Sequence, residues 1–254
     1  MITSLAEPKL KLDRAGKHLK DFEEVLVRFL LEERDRISEE FDAKAGCKNF
    51  WLEPRATPPE WGPVIGDVLY NCRSALDQLA NRLVESATGT RKRSRTGKTA
   101  WPIYANSTDF LCYGRPKIAG MSAKAKAIVE NAQPYVRSLR GPKNDLLWLL
   151  NDLTNEDKHR NLHLTLTTVR SSGGYGDLDI RAVHLGPVEH RTKLASIGMS
   201  ASDVDVQFHF ALGVAFAKRT WLGRPLVVDD FFRRVIIEIE AIFGEFMAYG
   251  LIAP

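Results

Sequence analysis

The period of the hydrophobic residues changes near residue 160, and that change constrains the fold of this chain more than any other feature of its sequence. Upstream of it, apolar side chains recur every three or four positions, as they do along one face of an α-helix. Downstream, Leu162-His163-Leu164-Thr165-Leu166-Thr167-Thr168-Val169 alternates in the manner of a half-buried strand. A chain that runs through helices, then strands, then a last helix belongs to the α+β class.

Residues 11–43 contain no proline and carry Phe22, Val25, Leu26, Phe29, Leu30 and Ile37 at helical spacing, which predicts one long amphipathic helix ended by Gly46. Cys47 to Pro54, around Phe50-Trp51-Leu52, reads as a short strand or extended segment. Pro58-Pro59-Glu60-Trp61 opens a second helix, because backbone N–H groups in the first turn have no partner to lose. Over 60–86 that helix sets Ile65, Val68, Leu69, Cys72, Leu76, Leu79 and Leu83 on one face, and Asp67, Asn71, Ser74, Asp77 and Asn81 on another. Trp101-Pro102-Ile103-Tyr104 is extended, since proline biases its neighbour toward β.

A short helix over 122–132 starts from Ser122 as N-cap. A third main helix over 143–160 carries Leu146, Leu147, Leu149, Leu150 and Leu153, and is expected to pack antiparallel to the second. Strands follow over 162–169, 178–185 and 204–216, with a turn at Gly173-Gly174-Tyr175-Gly176. Their connections leave no room for crossover helices, so an antiparallel β-meander is expected. Asp229 or Asp230 caps a closing helix that turns Phe232, Val235, Ile236, Ile239, Phe243 and Phe246 inward. The organisation expected is a single domain over 1–254, helical over 11–160 and 229–250 and β-rich over 161–228.

Composition removes several function classes. With 44% hydrophobic and 27% charged residues the chain is neither disordered nor fibrous. Met1 to Pro8 lacks a basic stretch followed by an apolar run, and no uninterrupted apolar run reaches membrane-spanning length, so neither export nor a membrane partner is expected. Cys47, Cys72 and Cys112 are odd in number and widely spaced, which reads as reduced thiols and a cytoplasmic setting. The six histidines show no metal-ligand spacing with cysteines, and no nucleophile-elbow sequence is present; neither a metal nor a cofactor is implied. Gly97-Lys98-Thr99 lacks the first glycine and the preceding strand of a phosphate-binding loop.

A net charge of +4 permits nucleic-acid contact without arguing for it. Its distribution says more, because residues 89–98 hold five basic residues and no acid. Arg91, Lys92, Arg93 and Arg95 are therefore candidates for phosphate contact, against the alternative of a solvated loop.

Two segments carry the chemistry. Asn71-Cys72-Arg73-Ser74-Ala75-Leu76-Asp77-Gln78-Leu79-Ala80 lies on the second helix, and Asn155-Glu156-Asp157-Lys158-His159-Arg160 ends the third. Arg73, Asp77, Asn155 and His159 sit at the edges of apolar stripes and are expected to converge on one polar site. In a catalytic version His159 is the general acid or base and Arg73 steadies a phosphate or developing anion. In a structural version the four residues satisfy one another.

Together with Trp-Pro-Ile and Gln-Pro-Tyr between them, these segments resemble a family of bacterial proteins of unknown function over about residues 58–166. More distantly the helix pair is similar to HEPN domains. That resemblance implies an antiparallel helical bundle and an association with nucleotide binding, RNA cleavage and defence or stress systems. The chain lacks the Arg-x4-6-His pair of catalytic HEPN domains, which favours binding over cleavage. The expected partner is thus RNA or a nucleotide, with Arg160 among the contacts. The alternatives are an RNase using Arg73, Asn155, His159 and Arg160, or a non-enzymatic interaction module whose helical face forms a homodimer.

Overall fold

The computed structural model describes residues 3–89, 99–173, 179–198 and 208–254. In chain order its elements are α1 (Ala6–Arg34), β1 (Ser38–Asp42), β2 (Cys47–Leu52), α2 (Trp61–Thr88), α3 (Ser107–Asp109), α4 (Ala123–Asn131), α5 (Pro134–Arg137), α6 (Leu146–His159), β3 (Leu164–Gly173), β4 (Asp179–Val183), β5 (Gly186–Pro187), β6 (Thr192–Gly198), β7 (Phe208–Trp221), β8 (Arg224–Val227) and α7 (Val228–Ala248). The α+β class holds, and every strand pair within the sheets is antiparallel. The chain divides into two compact units. One gathers Met1–Lys20, Pro63–Leu162 and Asp230–Pro254; the other gathers Asp21–Gly62 and His163–Asp229.

The first unit is helical. The apolar face of α2 is buried throughout, from Ile65, Val68 and Leu69 to Leu76, Leu79 and Leu83, as three-to-four spacing demands. From α6 come Leu147, Leu149, Leu150 and Leu153, and from α7 Phe232, Val235, Ile239, Phe243 and Phe246. Leu146 opens the first turn of α6 and stays partly exposed. Asp145 caps α6, accepting hydrogen bonds from the Leu147 and Trp148 backbone N–H groups at 2.9 and 3.3 Å. Arg137 bonds that same carboxylate at 2.7 Å and also pairs with Glu238 of α7. Gly66 lets α2 and α6 approach closely, because a Cβ there would stand 2.7 Å from the Asp157 carboxylate.

The second unit holds two four-stranded sheets, in the orders β1-β2-β6-β4 and β5-β3-β7-β8. These orders replace the expected meander: β3 pairs with β7, while β4 pairs with β6 in the other sheet. Part of the expected turn at Gly173, namely 174–176, lies outside the described residues. The first sheet also takes in β2, within the segment read from the sequence as a short strand or extended piece, and β1, from residues that periodicity assigns to helix. Residues 38–42 form a strand where the sequence predicts helix. Ser38-Glu39-Glu40-Phe41-Asp42 has no alternating pattern to reveal it, since all five side chains are exposed on an edge strand. Its conformation comes from pairing with β2 through a turn in which the Asp42 carboxylate accepts the Lys44 and Ala45 N–H groups, followed by Gly46 at φ +59°. Phe50 and Phe210 bring the two sheets into contact, with ring centroids 5.7 Å apart.

Glu33, at the end of α1, is fully buried and shows how this unit handles a charge in its interior. Its carboxylate accepts the Arg55 backbone N–H at 3.1 Å and the Arg55 Nε at 2.5 Å, while the Arg55 guanidinium lies 5.2 Å from the Phe29 ring centroid.

The helical core sets a direct expectation. Leu150 is completely buried. Leu150→Ala should lower unfolding stability by about 2–5 kcal/mol in urea titration, as large-to-small core changes do; a wild-type midpoint would mean that Leu150 is not a core residue.

Candidate functional site

Trp101 and Ile103 are buried in an extended stretch that belongs to no sheet. Buried backbone that has no ladder must find its hydrogen bonds among side chains. Two residues of α2 serve Trp101 from one turn apart. The Asp77 carboxylate accepts the Trp101 N–H at 2.9 Å, and Arg73 Nη2 donates to the Trp101 carbonyl at 2.6 Å. Arg73 and Asp77 also pair with each other at 3.0 Å. One helical turn thus places a cation and an anion against the two polar groups of a single residue. Gln133, wholly buried, continues the arrangement: its Nε2 donates to the Pro102 and Val129 carbonyls at 2.9 and 3.0 Å, and its Oε1 accepts the Tyr104 N–H at 3.1 Å.

Burial dominates the electrostatics here. It pushes the Asp77 carboxyl above its ordinary range, opposed by the Arg73 guanidinium, the Trp101 N–H bond, Lys117 and Lys158. Burial also lowers Arg73, opposed by Asp77 and Tyr104, but a guanidinium remains charged at neutral pH. Lys117 Nζ donates to the Tyr104 hydroxyl at 2.9 Å. Asn71, one turn before this cluster, is buried and donates to the Asp67 carbonyl at 2.8 Å, while its Oδ1 has no hydrogen-bond partner among the described residues. Asp157 is raised by burial and by neighbouring Asp67, so the two acids sit together beside Gly66.

The four residues expected to converge separate into two pairs. Arg73 and Asp77 meet at Trp101, as described. Asn155 and His159 are exposed on α6, and among the described residues neither hydrogen-bonds to Arg73 or Asp77. The physical reason is position. His159 closes the last turn of α6, where Lys158 and His159 suit the negative end of the helix dipole and remain in solvent. Arg160 is the exposed C-cap, its N–H bonded to the Glu156 carbonyl at 2.8 Å. Arg91, Lys92, Arg93 and Arg95 lie outside the described residues.

Sequence reasoning missed Gln133, Tyr104, Lys117 and the electrostatic influence of Lys158 on Asp77. The available signal was the Trp-Pro-Ile-Tyr stretch itself, an apolar extended segment with no strand to pair it. Among the described residues no group of three or more His, Cys, Asp or Glu side chains is arranged to hold a metal ion, and no helix is long and apolar enough to cross a membrane. No protein-family model, curated protein or solved structure matches this chain.

Two measurements check this account. Gln133→Leu removes partners from the Tyr104 N–H and the Pro102 carbonyl and should destabilise by about 1–3 kcal/mol for each group left unpaired. His159→Ala, at a solvated helix end, should stay within about 0.5 kcal/mol of wild type in the same urea titration; equal losses in the two variants would contradict the account. Separately, burial pushes the Cys72 thiol up to about 12, whereas Cys112 is exposed. Because the thiolate is the nucleophile, iodoacetamide at neutral pH should label Cys112 in the native protein and spare Cys47 and Cys72 until the chain is unfolded, as read by peptide mass spectrometry.

Proposed function

We propose that this chain is an HEPN-like bacterial protein that binds nucleic acid or a nucleotide through phosphate groups, within a defence or stress system, and that it does so without cleaving RNA. The observation that carries the reading is the imbalance of charge around Asp77. Arg73, Lys117 and Lys158 all act on this one carboxylate, which keeps 34% of its side chain open to solvent. Arg73 is paired with Asp77, so the surplus of charge lies on the two lysines, which would carry the phosphate contacts. Glu156 and Asp157 share α6 with Lys158, but Asp157 is turned toward Gly66 and Asp67. Arg160 extends the positive end of α6, and Arg91, Lys92, Arg93 and Arg95 would add contacts of the same kind.

The buried apolar faces of α2, α6 and α7 in one unit support the helical-bundle part of the reading. Two features favour binding over cleavage. The Arg-x4-6-His pair is absent from the sequence, and His159 has no hydrogen bond to Arg73 or Asp77 that would orient it as a general base.

Fluorescence anisotropy with labelled RNA and calorimetry with ATP test the reading on the full chain. Lys117→Ala/Lys158→Ala should weaken binding at least about 10-fold and reduce the log–log salt slope by roughly 1.4–1.8, the release expected from two phosphate contacts. His159→Ala should bind as wild type, and the RNA should remain intact. Unchanged affinity in the double lysine variant, or RNA cleavage lost in His159→Ala, would overturn the proposal.

A further inference from the structure

A groove of about 590 Å³ runs between the first half of α1 and α2, within the helical unit. Lys11, Arg14 and Lys17 line it at intervals of three residues, with Leu10 and the Gln78 side chain. Two acids also reach it, Glu7 and Asp13, and Glu7 is already paired with Arg82. The lining therefore keeps a surplus of positive charge along a row rather than at a point.

Tyr70 adjoins the groove through Lys11. The Lys11 ammonium lies 5.4 Å from the ring centroid, and yet Tyr70 remains 59% exposed. Lys11 thus brings one cation of the row to an exposed ring. Leu10, 68% exposed at the groove, offers apolar surface beside it.

We propose that this groove is a track for single-stranded nucleic acid. Successive phosphates lie along Lys11, Arg14 and Lys17, and a base stacks on Tyr70 beside Lys11. An exposed aromatic ring next to a cation binds unpaired bases by their π-faces, and a duplex keeps those faces stacked inside. The inference rests on the proposed nucleic-acid binding for its ligand class, but it uses residues separate from the Asp77 cluster.

The test is anisotropy of the full chain with a single-stranded RNA of roughly 12 nucleotides and with the duplex of equal length, and competition by tripolyphosphate. The single strand should bind at least about 10-fold tighter than the duplex. Tyr70→Ala should weaken single-strand binding about 5- to 100-fold, the loss of one stacked base, while leaving tripolyphosphate competition unchanged. Lys11→Ala/Arg14→Ala/Lys17→Ala should reduce the salt slope by about 2. Equal affinity for duplex and single strand, or wild-type binding by both Tyr70→Ala and the triple variant, overturns the proposal. If Lys117→Ala/Lys158→Ala alone weakens binding, the track falls and the Asp77 reading stands; if only the groove variants weaken it, the reverse holds.

Discussion

The helical unit depends on a backbone that has no sheet to pair with. An apolar extended stretch can fill the space between helices only if its peptide groups are satisfied, and an unpartnered buried N–H or C=O costs about 1–3 kcal/mol. Asp77 and Arg73 meet that requirement for Trp101, and Gln133 meets it for Pro102 and Tyr104. With the backbone held, Trp101 can be fully buried and set edge-on to Phe246 of α7 at 6.1 Å. The core of the unit thus relies on three polar side chains whose partners are main-chain atoms.

That arrangement bears on how Arg73 and Asp77 can act. A guanidinium committed to a carbonyl and a carboxylate is not available as a mobile catalytic group. It remains a fixed positive charge in a poorly solvated position. Lys117 is held by the Tyr104 hydroxyl at 2.9 Å. A buried ion pair of this kind contributes little net stability compared with apolar packing, but removing one member leaves the other uncompensated.

The β-rich unit follows a different logic. Its two sheets are assembled from distant stretches, with β2 at 47–52 pairing with β6 at 192–198 and β3 at 164–173 pairing with β7 at 208–221. Edges are protected by charge: β1 carries Glu39, Glu40 and Asp42 on an exposed strand, with Glu39 bound to Lys48 at 2.9 Å. At the far end of the other sheet, β7 and β8 are joined by Leu222 and Gly223, both at positive φ, as a tight hairpin with right-handed twist requires.

The sequence by itself determined the helices that bury a continuous apolar face. Ile65 to Leu83 on α2, the leucines of α6 and the phenylalanines of α7 announce themselves because periodicity is a local property of the chain. Ser122 as N-cap was legible for the same reason; its hydroxyl accepts the Ala125 N–H at 3.2 Å. Tertiary structure alone decided the rest. Residues 38–42 became a strand because β2 offered an edge, and β6 gained its place from β2, far upstream in the chain. The i,i+4 spacing of Arg73 and Asp77 was visible in the sequence, but not that both would bond Trp101, a residue 28 positions from Arg73. Nor could spacing show that Asn155 and His159 would face solvent. Which groups meet across space depends on how elements pack, and no local pattern encodes that.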